Sequence, residues 1–323
     1  METDNIILKI EHLNLYYKSV FEKLQVLYDV NLELKKGEVL GIVGESGSGK
    51  SQTVLSIMKL FGNNAIYYGQ ILYNGINLLN LNEKEINKYR GNEITMAFQD
   101  SMSALNPYLT IREQLIEPLI VHKHLSNDEA EKKAIQMLDI IRIKDAKRKI
   151  NCYPHEFSGG MRQRVMIAMS LICSPKIFIA DELTTALDVT TQNQILKFLK
   201  ELQNEIGMSI IFITHDLRVL SQIADRVIVM YCGHIMEETK IEDLFNNYLH
   251  PYTKGLLDSI PNIDSNDKEL KTIPGEIPQL NNIPSGCPFS TRCKYTCEKC
   301  YTEKPKIQQV GNNKVACFNY FKK

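Results

Sequence analysis

The first sixty residues alternate between apolar and polar positions in a way that predicts strands followed by a helix. Residues 6–17 have an extended pattern, and residues 26–34 alternate as a half-buried strand does. A polar turn then leads into the apolar run 39–43, which predicts a buried strand. The pattern of residues 52–60 is helical, so a strand–loop–helix unit is predicted here.

Helical patterns dominate the middle of the chain. Ser126 followed by Glu129 is a capping box, and five apolar residues after it share one helical face. These residues are Ala130, Ala134, Met137, Leu138 and Ile141. We therefore predict a helical subdomain over about residues 102–173.

The following segment predicts a strand–helix–strand unit. Residues 177–181 and 209–213 are short continuous apolar runs, which are typical of buried parallel strands. The helical pattern of residues 190–206 lies between them. Residues 226–231 and 234–238 flank a Cys-Gly pair and predict a hairpin.

The composition changes past residue 250. Seven prolines fall between Pro251 and Pro305, and regular periodicity disappears. This change predicts two parts, a main domain over residues 5–250 and a separate, loop-rich appendage over residues 251–323.

Charge and hydropathy narrow the class of protein. Lys and Arg total 38, as do Asp and Glu, so the net charge gives no general argument for nucleic-acid binding. The sequence has no apolar run of the length that a transmembrane helix needs, about 18 residues. The polar, acidic N-terminus does not resemble a signal peptide. We expect a cytosolic chain unless a partner holds it at a membrane.

The residues from Gly44 to Ser51 match the pattern G-x-x-x-x-G-K-[ST] in full. Glycines let the backbone curl around an anion, and the helix start adds partial positive charge. Lys50 would reach the β- and γ-phosphates of a nucleotide, and the Ser51 hydroxyl would bind Mg²⁺. A Gly/Ser turn before an ordinary helix is the alternative, but the surrounding strand and helix favour a phosphate site. The predicted phosphate-binding residues are Gly44, Ser46, Gly47, Ser48, Gly49, Lys50 and Ser51.

Two carboxylates end the apolar run at 177–181. Asp181 is placed as a strand-end Mg²⁺ anchor, and Glu182 is placed to polarise a water for attack on the γ-phosphate. Either residue alone could merely cap the next helix. The pair, together with a phosphate loop, favours catalysis.

A second glycine-led helix start follows Phe157. Ser158 can cap a helix, and Gly159 and Gly160 leave its first turn open to an anion. With this Ser-Gly-Gly stretch the sequence resembles the ATP-binding subunits of ABC transporters, whose signature motif begins in this way. The resemblance implies an α/β fold, a P-loop NTPase of ABC type with a mixed core sheet, an antiparallel β subdomain and a helical subdomain, followed here by a C-terminal Cys-rich appendage.

The same resemblance assigns further residues. Gln99 matches the Q-loop, Ala186-Leu187-Asp188 the D-loop, and His215 in Thr214-His215-Asp216 the switch histidine. Tyr17 is the aromatic expected to stack on adenine, with Tyr16 as the alternative. Leu183 replaces the usual proline after Asp181-Glu182, which removes no catalytic group.

The resemblance also implies a mechanism and partners. Two subunits face each other, and each ATP lies between Lys50 and Ser51 of one and the Ser158-Gly159-Gly160 helix of the other. Glu182 activates the water, His215 holds it with the γ-phosphate, and Gln99 senses Mg²⁺ and the water. Mg²⁺ is expected on Ser51, Gln99 and Asp181. The partners that the resemblance implies are a second ATPase subunit (a paralogue rather than an identical copy), two membrane permeases and an extracytoplasmic substrate-binding protein. The chain would be peripheral on the cytoplasmic face of the membrane.

Finer features resemble the oligopeptide/dipeptide and nickel importer branch. They are the stretches from Ser101 to Pro107, from Gly160 to Arg164, from His250 to Leu257 and from Gly286 to Cys293. We therefore expect ATP-driven uptake of dipeptides or oligopeptides. Two alternatives are import of nickel or another small solute and a soluble ABC ATPase that takes no part in transport. A third is a purely structural subunit with an inactive site, but the intact catalytic residues argue against it.

Five of the eight cysteines crowd the last 37 residues. The resemblance places four ligands at Cys287, Cys293, Cys300 and Cys317 and favours a [4Fe–4S] cluster, with Zn²⁺ as the alternative; Cys297 is extra. Some thiols could instead be free. Residues 287–323 also carry eight Lys and Arg against two Asp and Glu, which fits a solvated tail, an anionic membrane surface or nucleic acid; we expect no nucleic-acid partner.

Overall fold

A computed structural model of the chain describes residues 5–19, 22–98, 104–184, 188–260 and 272–321. These residues group into two compact units. Unit 1 contains Met1–Lys35, Val39–Leu79 and Ile213–Lys323, and unit 2 contains Lys36–Glu38 and Asn80–Phe212.

The strands are numbered in chain order: β1 Ile6–Lys18, β2 Lys23–Lys35, β3 Val39–Val43, β4 Ala65–Tyr73, β5 Ile76–Asn77, β6 Ile94–Ala97, β7 Ile177–Asp181, β8 Ser209–Thr214, β9 Arg226–Tyr231, β10 His234–Lys240, β11 Gln308–Val310 and β12 Asn313–Val315. The α-helices are α1 Lys50–Ile57, α2 Glu83–Ile86, α3 Ile111–Lys123, α4 Asn127–Ile140, α5 Ala146–Lys149, α6 Gly159–Leu171, α7 Val189–Ile206, α8 Leu217–Ile223, α9 Ile241–Asn246, α10 Pro251–Asp258 and α11 Glu298–Thr302. Short 3-10 helices lie at Leu78–Asn80, Pro154–Glu156 and Leu280–Asn282.

An antiparallel sheet in unit 1 has the strand order β2-β1-β4-β5. Its inner face buries the alternating apolar residues of β1 and β2, such as Ile10 opposite Leu32. The pairing of β1 with β2 has several register shifts, and one of them lies between Ile10 and Leu13, where His12 takes a positive φ. The strands predicted over residues 6–17 and 26–34 are therefore confirmed, and the predicted antiparallel β subdomain is present.

A mixed sheet in unit 1 carries the phosphate loop. Strand β3 runs parallel to β9, and β9 pairs antiparallel with β10 through Tyr231 and His234, which confirms the predicted hairpin. Strand β12 pairs antiparallel with β10, and β11 pairs with β12. The C-terminal residues thus add strands to this sheet, so the interpretation of them as a separate, loop-rich appendage is not supported. The boundary predicted between residues 250 and 251 stays a prediction.

Unit 2 packs helices around an apolar cluster and contains the parallel strand pair β6 and β7. The cluster includes Ala130, Ala134 and Leu138 of α4, as the helical pattern predicts. Ser126 caps α4 in a full capping box with Glu129, and Thr110 caps α3 in the same way with Glu113. The capping box predicted at Ser126 is therefore confirmed.

Helix α7 connects β7 to β8, as the strand–helix–strand pattern predicts. It ends at Ile206, and the next residue, Gly207, takes a left-handed backbone with a φ of 63°. Strand β7 is buried along its whole length, which explains its continuous apolar sequence. Helix α1 begins at Lys50 and ends at Ile57, two and three residues before the ends predicted for it.

Candidate nucleotide site

Strand β3 delivers the glycine-rich loop directly to the start of α1. Gly49 is the residue before the helix and has a left-handed φ of 98°, and it offers no side chain to cap the first turn. A Cβ atom on Gly44 would lie 2.2 Å from the carbonyl oxygen of Met230. The backbone is therefore a cradle that only glycine permits, with a helix N-terminus left for an anion.

The Lys50 side chain curls back over this loop. Its Nζ donates hydrogen bonds to the carbonyl oxygens of Gly44, at 2.8 Å, and Glu45, at 3.0 Å, and the residue is 5% exposed. The ammonium group is thus held beside the start of α1, where a phosphate would contact both the ammonium charge and the partial positive charge of the helix N-terminus. The half-buried Ser51 hydroxyl stands one residue further on as an oxygen ligand of the kind that Mg²⁺ prefers. These residues fit the phosphates of a nucleotide and its Mg²⁺.

Tyr17 and Tyr16 lie in different surroundings. The Tyr17 hydroxyl donates to Oε1 of Gln52 on α1, at 2.7 Å. The Tyr16 ring instead packs T-shaped against Tyr68, and Nζ of Lys23 lies 3.8 Å from its centre. Of the two, Tyr17 is the one tied to the phosphate-binding helix, which supports it as the residue for adenine; the assignment stays a prediction.

His215 is exposed in the turn between β8 and α8. Thr214 accepts the amide N–H of Asp216 at its Oγ1, at 3.1 Å, and Asp216 caps α8 by accepting the amide N–H of Arg218. Burial alone would raise the pKa of Asp216, but its bonds to Arg218 outweigh burial and lower it. These hydrogen bonds hold the backbone on either side of His215, which is presented at the surface.

In unit 2, β7 ends at the buried Asp181 and is followed by a strained residue. Glu182 has a φ of 48°, in the left-handed region that non-glycine residues rarely adopt. Gln163 on α6 donates from Nε2 to the carbonyl oxygen of Leu183, and both residues are buried. The turn that carries Glu182 is therefore held by a side chain of α6, although the family's proline is absent.

Ser158 caps α6 by accepting the amide N–H of Met161 at its Oγ, at 3.4 Å. Ser158 and Gly159 are exposed, and a Cβ on Gly159 would meet no atom of the described residues within 4 Å. Asp188 is likewise exposed and caps α7, and its hydrogen bonds from Thr191 lower its pKa. The start of α6 is therefore open to a ligand from outside the chain.

The structure groups the predicted residues by unit. Tyr17, the glycine-rich loop and His215 lie in unit 1, and Asp181, Glu182 and the Ser158-Gly159-Gly160 stretch lie in unit 2. Gln99, and Ala186 and Leu187 of the D-loop, lie outside the described residues.

Two contacts of these residues were missed from the sequence. Gln163 lies inside the signature stretch, so its position was visible although its partner was not. Nothing in the sequence links Gln52 to Tyr17, which is 35 residues away.

The cysteine-rich segment does not support the predicted [4Fe–4S] or Zn²⁺ site. Among the described residues, no group of three or more His, Cys, Asp and Glu side chains could hold a metal ion. Burial raises the pKa of Cys287 to about 12 and that of Cys317 to about 11, which favours the neutral thiol. Metal binding requires thiolates. Cys297 and Cys300 do approach each other, with 3.5 Å between their Sγ atoms.

Comparisons with known proteins agree with this geometry. The family "ABC transporter" matches residues 27–185, and "Oligopeptide/dipeptide transporter, C-terminal region" matches residues 236–300. The oligopeptide transport ATP-binding protein OppD of Salmonella typhimurium is 47% identical over 97% of this chain and 94% of its own length. The chain belongs to the ABC transporter family. The oligopeptide transport ATP-binding protein AppD of Bacillus subtilis is 45% identical over 97% of both chains.

Solved structures of ABC proteins have the same fold as this chain. The ATP-binding cassette MJ0796, in a dimeric post-hydrolysis state with ADP and Pi, gives a TM-score of 0.65 at 33% identity over 72% of this chain and 98% of its own. CbiO1 from Clostridium perfringens, part of the ABC transporter complex cbiONQ, gives 0.64 at 28% identity over 75% and 92%. The predicted ABC-type P-loop fold and the ATPase class are therefore confirmed. Within the described ranges, none of the helices has the length and apolar character needed to cross a bilayer.

Proposed function

We propose that this chain is the ATP-binding and ATP-hydrolysing subunit of an ABC importer that couples hydrolysis to uptake of oligopeptides. The observation that carries the proposal is the glycine cradle at Gly44 to Gly49, with Lys50 folded over it at the start of α1. The near full-length similarity to oligopeptide transport ATP-binding proteins, including the C-terminal region, supports the substrate class.

The residues divide the reaction among them. Lys50 and the amides at the start of α1 bind the β- and γ-phosphates, and Tyr17 positions the base. Ser51, Asp181 and Gln99 would hold Mg²⁺, which would neutralise phosphate charge there. Glu182 accepts a proton from the attacking water, and His215 orients that water and the γ-phosphate.

The exposed start of α6 supports a second subunit as a partner. Ser158 and Gly159 are exposed there, and a Cβ on Gly159 would meet no described atom within 4 Å, so the Ser158-Gly159-Gly160 turn suits the γ-phosphate of an ATP held by the facing subunit. We propose that the partner is a paralogous ATPase. The pair would act on two membrane permeases supplied by an extracytoplasmic substrate-binding protein, from a peripheral position on the cytoplasmic face of the membrane.

Replacing Glu182 with Gln tests the catalytic assignment. The amide keeps the shape of the side chain but cannot accept the proton of water, so ATP turnover of the assembled transporter should fall roughly 100-fold or more. The Kd for Mg·ATP, measured by calorimetry, should stay within about threefold, because the phosphate contacts remain.

The exposed Glu205 of α7 provides the matched control, since Glu205→Gln makes the same chemical change away from the site. Normal turnover by Glu182→Gln would show that another group activates the water. Uptake of labelled oligopeptide, competed by unlabelled peptide or by Ni²⁺, tests the substrate. Competition by Ni²⁺ alone would overturn the peptide assignment and leave the ATPase assignment intact.

A further inference from the structure

Arg292 lies in the C-terminal part of the chain, but its side chain reaches the phosphate loop. Nη1 and Nη2 donate to the two carboxylate oxygens of Glu45, at 2.8 and 3.1 Å, in a bidentate pair. The Arg292 side chain is 4% exposed and that of Glu45 is 27% exposed. Glu45 is the residue after Gly44, within the phosphate loop itself. The pair is therefore mostly shielded from water, where two parallel charged hydrogen bonds are strong and directional.

Glu45 is held at its backbone as well. Its amide N–H donates to the Tyr252 hydroxyl, at 2.9 Å, and its carbonyl oxygen accepts from Nζ of Lys50, at 3.0 Å. Tyr252 belongs to α10, and it is fully buried beside Tyr231 and Phe289. The C-terminal residues Tyr252 and Arg292 thus hold Glu45, whose carbonyl group contacts the phosphate-binding lysine, as that of Gly44 also does.

The same arginine is anchored within its own segment. Nε donates to the carbonyl oxygen of Pro274, at 3.0 Å, and Nη2 to that of Ile273, at 3.3 Å. A purely structural role would be limited to these bonds, which tie the C-terminal segment together. The bidentate bond to Glu45 goes beyond that role, because Nη1 and Nη2 both donate to a residue of the phosphate loop.

We propose that Arg292 is a positioning residue for nucleotide binding, which acts through Glu45 to hold the phosphate loop and Lys50 in their binding geometry. The C-terminal region thereby takes part in forming the ATP site. This inference rests on the proposed use of the loop for ATP. Loss of the Arg292 side chain would weaken binding of Mg·ATP and leave the rate of the chemical step unchanged, because neither Arg292 nor the Glu45 carboxylate takes part in the reaction.

The test measures the Kd for Mg·ATP by calorimetry on the purified full chain, and KM and kcat for ATP on the assembled transporter. Arg292→Ala should raise Kd and KM by about tenfold, since a charged hydrogen bond contributes roughly one to two factors of ten. The value of kcat should stay within about threefold. Arg292→Lys keeps the charge but not the bidentate geometry, so it should fall between Arg292→Ala and the native chain.

A double-mutant cycle separates action through Glu45 from general loosening. Glu45→Gln leaves the bonds from Arg292 to Pro274 and Ile273 in place, so it keeps the test valid even if Arg292→Ala does not fold. If Arg292 acts through Glu45, the double variant should bind Mg·ATP no more weakly than the worse single variant. Additive losses, or a Kd within about twofold of native in folded Glu45→Gln, would overturn the proposal.

Two further variants fix the interpretation. Lys294→Gln removes an exposed positive charge two residues from Arg292 and should leave Kd unchanged; an equal loss there would point to charge alone and against positioning. Lys50→Ala should abolish measurable binding. Native-like binding by Lys50→Ala would refute the ATP role of the loop itself, whereas failure of the Arg292 variants alone would refute only the positioning role.

Discussion

Replacing Gln163 with Met removes the side-chain hydrogen bond that holds the turn after β7. Gln163 is 5% exposed and Leu183, whose carbonyl oxygen it contacts, is 1% exposed, so water cannot replace the lost donor. A buried carbonyl left without its donor costs about 1–3 kcal/mol, and the near-isosteric change adds less than about 1.5 kcal/mol from packing. We therefore expect the free energy of unfolding to fall by about 2 kcal/mol.

The loss should also reach catalysis, because the same turn holds Glu182 at a φ of 48°. Such a backbone costs roughly 1–3 kcal/mol and persists only where its surroundings impose it. A change of about 2 kcal/mol corresponds to a roughly 30-fold shift between the strained and the relaxed turn. The value of kcat should thus fall by up to about 30-fold, while the Kd for Mg·ATP changes by less than about threefold.

The assays are single-turnover ATP hydrolysis by the assembled transporter, calorimetric binding of Mg·ATP, and urea unfolding of the chain. Gln136→Met is the matched control, because Gln136 is an exposed glutamine on α4 and its replacement should change stability by less than about 0.5 kcal/mol. If Gln163→Met lowered stability but kept the native kcat, the turn would not depend on α6 and the reasoning would be refuted.

Two further predictions concern stability. Burial lowers the pKa of His234 from 6.5 to about 4. Between these two pH values the unfolded chain binds a proton at His234 and the folded chain does not, so stability should fall as the pH drops from about 6.5 to about 4. His234→Phe keeps a ring against Tyr28 and should flatten this dependence in melting experiments, and equal slopes would contradict the assignment. Ser126→Ala removes the cap of α4 and should cost about 1 kcal/mol in urea unfolding, with unchanged Mg·ATP binding; an unchanged stability would show that the cap is dispensable.

Features set by residues close in the chain were predictable from the sequence. The phosphate loop follows from the order strand, glycines, lysine and helix, and the capping box at Ser126 follows from a spacing of three residues. In both, the residues that interact are near neighbours, so the local pattern contains the geometry.

Contacts between distant residues were not predictable. Gln163 and Leu183 are 20 residues apart, and Glu45 and Arg292 are 247 residues apart, so no local period links either pair. The metal site predicted from the cysteine spacings is not supported, for the related reason that spacing along a chain does not fix where the Sγ atoms lie. The strands β11 and β12 were missed because each has three residues, too few to display an alternation.

The pairing of β12 with β10 has a consequence for any shortened form of the chain. Glu237 and Glu238 of β10 lie opposite Val315 and Lys314, so the last strands shield one side of β10 from the solvent. A chain that stopped before residue 308 would leave those backbone groups as an open sheet edge, which recruits strands from other molecules. Such a truncation should therefore self-associate more readily than the full chain.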